Sequence, residues 1–196
     1  VVFTSYGDGY ASINSADSAA FIIQSSSFIS VEKIKCFGSG RKNGNTKHGL
    51  IILYSSFIKV ESVEVSGYQK AGLMIYESDS VKVSKVHAHD NGFAGIAADG
   101  EYQQRKLKRI HIVDCMANNN PGDPTNLENH SGNGIIAGNG TNILIEYCSA
   151  TNNGWDMPRV GNGPVGIWCY ETDSLTIQYC IAYRNKTSKG GGDGGG

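Results

Sequence analysis

Short apolar runs alternate with polar, glycine- and asparagine-rich connectors, and no apolar spacing of helical period persists along the chain. Within the runs every second residue is apolar, as in Val81-Lys82-Val83 and Ile110-His111-Ile112, which predicts strands with one buried face. The runs also recur. Gly49-Leu50-Ile51-Ile52, Gly72-Leu73-Met74-Ile75, Gly95-Ile96-Ala97-Ala98, Gly134-Ile135-Ile136-Ala137 and Gly166-Ile167-Trp168-Cys169 share one pattern, and Ala20-Phe21-Ile22-Ile23 is a looser copy. Successive copies start 29, 23, 23, 39 and 32 residues apart, and a further coil opening at Gly196 would add 30. A strict hexapeptide or leucine-rich repeat is excluded by that spread, which suits constant strands joined by loops of variable length.

A second strand aligns in every copy. Ile29, Ile58, Val81, Ile110, Ile143 and Leu175 form one column, and Val31, Val60, Val83, Ile112, Ile145 and Ile177 form another two residues on. Ile34, Val63, Val86, Cys115, Cys148 and Cys180 follow, then Cys36, Val65, Ala88, Ala117, Ala150 and Ala182. Stacking like on like along an axis is how parallel coils bury a continuous core. Asn91, Asn120, Asn153 and Asn185 make a further column, expected to hydrogen-bond as an asparagine ladder at a turn. The predicted fold is all-β, a right-handed parallel β-helix (solenoid) of about six to seven coils in a single domain, residues 1–196. Neither end reads as a cap, so the stretch is expected to belong to a longer chain carrying further domains.

Composition narrows the partners. Lys+Arg number 17 and Asp+Glu 18, a net charge of -1, which gives no footprint for nucleic acid. No apolar run approaches the roughly 18 residues of a membrane span, so no membrane insertion is expected. The five cysteines include no C-x-x-C pair. Neighbouring parallel strands hold Cβ atoms about 4.8 Å apart, wider than the roughly 3.8 Å a disulfide prefers, so buried free thiols are expected. No two histidines share metal-ligand spacing, and no metal or cofactor is expected for hydrolysis. The Asp-Ser triplets at Asp17, Asp79 and Asp173 read as turn chemistry or as short O-glycosylation acceptors. Asn129, Asn139 and Asn185 open triplets of the N-glycosylation type.

Chemistry is expected on the strand that starts at each repeat glycine, where the second and fourth positions after the glycine should face solvent. That column holds Tyr76, Asp99, Trp168 and Tyr170, an aromatic platform of the kind that stacks on sugar rings. The variable loops rise just upstream of the same strands and bring Trp155, Asp156, Arg159, His130 and Asp193. Glycoside cleavage needs two carboxyl groups about 5.5 Å apart, or 6.5–9.5 Å with inversion, a reach that one or two coils supply. Asp99, Asp156 and Asp193 are therefore the candidate catalytic residues, with Tyr76, Trp155, Trp168, Tyr170, Arg159 and His130 as the candidate substrate-binding set. A lyase would instead draw on Arg159 as base, with Ca²⁺ neutralising a uronate. Exposed aromatics without a carboxyl pair would mean a non-catalytic glycan-binding or adhesive module, and a fully sealed face a structural solenoid.

Several segments carry a resemblance: Phe3-Thr4-Ser5-Tyr6-Gly7-Asp8-Gly9, Gly38-Ser39-Gly40-Arg41, His89-Asp90-Asn91-Gly92, Asn119-Asn120-Pro121-Gly122-Asp123-Pro124, Gly161-Asn162-Gly163-Pro164-Val165-Gly166-Ile167-Trp168 and Gly190-Gly191-Gly192-Asp193-Gly194-Gly195-Gly196. Together they resemble large bacterial right-handed parallel β-helix repeat proteins of the pectate-lyase-like superfamily, over essentially the whole chain. The resemblance implies a secreted or cell-surface multidomain protein whose partner is a polysaccharide or other glycan; the candidate residues, not the resemblance, put hydrolase ahead of lyase. It implies no particular catalytic residue.

Overall fold

The computed structural model describes residues 1–159, 161–189 and 194–195. Its strands in chain order are β1 (Val2–Thr4), β2 (Ala11–Ala16), β3 (Phe21–Gln24), β4 (Ser27–Gly38), β5 (Leu50–Leu53), β6 (Ser56–Ser66), β7 (Ala71–Tyr76), β8 (Asp79–Ser84) and β9 (His87–His89). They continue with β10 (Ala94–Asp99), β11 (Leu107–Val113), β12 (Met116–Asn118), β13 (Asn133–Gly138), β14 (Gly140–Glu146), β15 (Ser149–Thr151), β16 (Ile167–Tyr170), β17 (Asp173–Gln178) and β18 (Ile181–Tyr183). Every pairing is parallel, and the strands wind into the expected β-helix. One sheet runs β16-β13-β10-β7-β5-β3, while the larger one bends around the other two sides of each coil.

The columns stack as the sequence predicts. Ile29 pairs with Ile58, Ile58 with Val81, Val81 with Ile110, Ile110 with Ile143 and Ile143 with Leu175. Val31, Val60, Val83, Ile112 and Ile145 are fully buried and form the axis of the core. The cysteines are free thiols: Cys115, Cys148 and Cys180 lie one above another, each Sγ directed at a carbonyl of the preceding coil. Burial pushes the Cys36 thiol up to about 12, so it stays protonated and apolar in character.

Each coil turns through corners where non-glycine residues take left-handed backbone. Lys33, Ser62, Lys85, Asp114, Tyr147 and Tyr179 make one such column, with φ between 52° and 54°. Left-handed backbone costs such residues roughly 1–2 kcal/mol each. The stacking of the coils holds it, and the side chains point outward and stack in turn, as Tyr147 on Tyr179 at 5.0 Å and Phe28 on Phe57 at 4.9 Å. Ser80 and Ser174 of the Asp-Ser triplets sit in another of these columns, which supports the turn reading.

The asparagine ladder forms. Asn91 donates to Asn120 (3.2 Å), Asn120 to Asn153 (2.9 Å) and Asn153 to Asn185 (2.8 Å), and each of these oxygens also accepts a backbone N–H from the coil before. The recurring glycines belong to the same device. A β-carbon on Gly72 would lie 2.6 Å from the Asn91 amide, and one on Gly95 2.9 Å from that of Asn120. Glycine thus stands at these positions because the ladder fills the space a side chain would take, while at Gly49 the ring of Tyr68 and the side chain of Val65 fill it. Of the three glycosylation-type asparagines, Asn129 is exposed, Asn139 is buried, and Asn185 ends the described ladder.

Candidate functional site

Two outward columns cross the six-stranded sheet, and pairing fixes both. Ile51, Met74, Ala97, Ile136 and Trp168 make the first, while Leu53 pairs with Tyr76, Tyr76 with Asp99 and Gly138 with Tyr170 in the second. The expectation that both columns face solvent holds only in part. Ala97 and Ile136 are buried, because Phe93 and its neighbours fold a second small apolar cluster over the middle of the sheet. His130, brought in by the loop before β13, lies against Phe93 with ring centres 6.1 Å apart.

Beyond that cover the face opens at Trp168, which is 37% exposed. His130 meets its indole edge-to-face at 5.0 Å, and Tyr170 follows at 5.0 Å on the other side. His130 and Trp168 border a pocket of about 260 Å³, lined also by Asn162, Gly163, Val165 and the Gly194-Gly195 backbone. Burial and the nearby charge of Arg159 push the His130 pKa down, against a hydrogen bond with Asn133, so the ring favours its neutral form.

At the carboxyl end of the same strands Asp99 is held from three sides. Tyr170 donates its hydroxyl proton to Oδ2 (2.8 Å), Asn139 donates from Nδ2 to Oδ1 (2.9 Å), and the Gly100 N–H donates to Oδ1 (2.8 Å). The carboxylate fixes the Asn139 amide, leaving its buried Oδ1 without a donor among the described residues. Tyr170 reaches Asp99 by lying across Gly138, where a β-carbon would stand 2.1 Å from Cζ of the ring. Tyr76 flanks Asp99 from the other side and packs edge-on to Tyr54 at 5.8 Å.

Other predicted residues lie elsewhere. Asp156 is ion-paired to Arg41 and to Lys42 (2.6 Å), at the border where the strands begin. Burial alone would raise its pKa, but the hydrogen bonds from Lys42 and Arg41 outweigh it and hold it below the usual carboxylate range. Asp99 ends a six-residue strand, so the two borders are about 17 Å apart, beyond the roughly 9.5 Å of a catalytic pair. The expected grouping of Asp99 with Asp156 does not form. Trp155 is also away from Trp168, on an outer corner against Asn119. Asp193 lies outside the described residues; its chain neighbour Gly194 lines the Trp168 pocket. His87 and His89 lie on the larger sheet, their rings tilted against one another with centres 4.4 Å apart. Among the described residues no three metal-ligating side chains converge.

Gly138, Phe93 and Tyr54 were not singled out in the sequence. Gly138 carried a readable sign, as the one residue without a side chain in a column of Leu53, Tyr76, Asp99 and Tyr170. Phe93 and Tyr54 lie outside the two columns, and their contacts come from the fold alone.

Residues 48–194 match the family described as "Right handed beta helix region", and the chain belongs to that family. It is a right-handed parallel β-helix repeat protein. No curated protein matches it. Among solved structures it is similar to the enzymatically active domain of bacteriophage CBA120 tailspike protein 2, at 12% identity and TM-score 0.49 over 76% of this chain and 24% of that one. It is similar also to the tailspike protein gp49 of Pseudomonas phage LKA1 (13%, TM-score 0.48, 86% of this chain and 32% of that one). A third is ORF18 of Geobacillus virus E2 (14%, TM-score 0.47, 90% and 41%). The chain spans less than half the length of each.

Proposed function

We propose that the chain engages polysaccharide along the outward face of the short sheet, seating one sugar ring on Trp168 beside His130. The observation that carries this reading is the pocket of about 260 Å³ with a half-exposed indole as its wall and polar groups of Asn162 and His130 at its rim. An indole face meets the apolar face of a sugar, while rim amide and imidazole groups take its hydroxyls. Tyr170 and Tyr76 extend the platform along the next column, with Asp99 between them. A polysaccharide substrate places this work outside a cell, on a secreted or surface-held protein. Calorimetric titration against a panel of plant, algal and host polysaccharides tests it. Trp168→Ala should weaken the best ligand about tenfold or more. Equal affinity for the variant and the parent would sink the reading.

Hydrolysis is the finer form of the same reading, and Asp99 is the observation that favours it, a carboxylate beside the platform's tyrosines. Asp193 belongs to a separate candidate at the Trp168 pocket: Gly195, two residues on, pairs with Val165, five residues and about 17 Å along the strand before Tyr170, which holds Asp99. Release of reducing ends, lost in Asp99→Asn or in Asp193→Asn, supports hydrolysis and tells which carboxylate carries it. Unsaturated products would instead support elimination with Arg159 as base. Neither product, with binding retained, leaves a glycan-binding module.

A further inference from the structure

Trp155 stands apart from the Trp168 face, and its surroundings are chemically different. Its indole is 40% exposed, and Nε1–H donates to Asn119 Oδ1 at 3.2 Å, which fixes the plane of the ring against the outer corner. The same oxygen accepts from Asn152 Nδ2 (3.2 Å), and Asn119 Nδ2 donates in turn to Asp90. The corner residues Asp90, Asn119 and Asn152 all have left-handed backbone, so their side chains project outward as a second polar ladder parallel to the buried one. Beside them opens a pocket of about 450 Å³ lined by Asn119, Asn152, Trp155, Lys186, Thr187 and Lys189. It shares no residue with the Trp168 pocket.

Lys186 and Lys189 are exposed, and no carboxylate lies within ion-pair distance of either among the described residues. Asp156, the carboxylate next in the chain to Trp155, is already neutralised by Arg41 and Lys42. The site therefore offers a flat apolar ring, a row of fixed amides and two cations with no carboxylate partner among the described residues, in a chain whose net charge is only -1. An aromatic face, hydroxyl-binding amides and unpaired ammonium groups together match a sugar that carries a negative charge. We propose that this corner is a second glycan site, selective for anionic sugar residues, carboxylated or sulfated, in which Trp155 stacks on the ring and Lys186 and Lys189 take the acid group. It stands independently of the Trp168 face.

The chain's two tryptophans give each site its own reporter. In Trp168→Phe, emission from Trp155 is followed during titration with an oligogalacturonate, a sulfated galactan oligosaccharide and a neutral oligosaccharide of equal length. A saturable change with an acidic ligand, weakened by added salt and absent for the neutral one, is the expected result, and whichever acid responds identifies the group. Replacing Lys186 and Lys189 together by alanine should weaken it about tenfold or more. The Lys186 backbone N–H still bonds Asn153 in that variant, so the coil is kept. No response to either acid, an equal response to the neutral ligand, or indifference to the lysine changes overturns the proposal. So does equally tight binding of a single-stranded oligonucleotide. The reciprocal variant, Trp155→Phe, reports on Trp168 alone, so failure of one site is distinct from failure of the other.

Discussion

A β-carbon at position 138 would stand 2.1 Å from Cζ of Tyr170, so the ring can lie across the sheet and reach Asp99 only over glycine. The backbone at Gly138 is not left-handed, so the requirement is one of space rather than torsion. Gly138→Ala must then lift the ring, breaking the bond to Asp99 and overpacking the face at a cost of about 1–3 kcal/mol. Tyr170→Phe keeps the ring in place and removes only the hydroxyl, which should cost about 1–2 kcal/mol. Urea unfolding of the two variants checks the ordering. A Gly138→Ala protein as stable as the parent would mean that Tyr170 has another place to lie.

The loops are held to the coils by charges that neither column predicts. Asp123 is buried with its carboxylate bonded by Lys70 (2.6 Å), Gln69 (3.1 Å) and Thr125 (2.8 Å), and His48 accepts the Ala71 N–H on Nδ1 (3.1 Å). Burial, with help from the Lys70 charge, pushes the His48 pKa down to about 4, so the ring folds neutral. The unfolded chain therefore takes up a proton that the folded one refuses, between its ordinary value near 6.5 and about 4. This contribution is complete above pH 6.5 and is lost as pH falls toward 4, by up to about 3 kcal/mol. Burial alone would raise the Asp123 pKa, but the bonds from Lys70 and Thr125 outweigh it and hold the group below 3.8. Its contribution is present above 3.8 and fades at still lower pH, so both groups destabilise the protein in acid, in successive windows. Thermal melts from pH 7 to 3 should decline in His48-containing protein between pH 6.5 and 4. His48→Asn, which keeps an acceptor for Ala71, should be flatter there. Strands, ladder and thiols were legible because each repeats in register. The pairs Lys70–Asp123 and Arg41–Asp156 join residues 53 and 115 positions apart, occur once each, and leave no period to read. For the same reason the sequence placed Trp155 and Asp156 on the Trp168 face: it gave the loops' starting points, not the corner over which they fold.

At the scale of the whole solenoid, each coil is stabilised through its two neighbours, so a residue's worth depends on how many coils cover it. Ile145 makes this testable, since it is fully buried in a column between Ile112 and Ile177, with a coil packed on either side. In Ile145→Ala a closed cavity opens between coils, with an expected loss of about 2–5 kcal/mol. If the described coils unfold as one cooperative unit, urea denaturation followed by circular dichroism and by tryptophan emission should give coincident transitions in the variant as in the parent, both moved to lower urea by the same amount. If instead groups of coils unfold separately, the two signals should part in Ile145→Ala. Glycan binding at the Trp168 pocket should then bring the tryptophan transition back toward higher urea, because a ligand that binds only the folded pocket stabilises it by mass action.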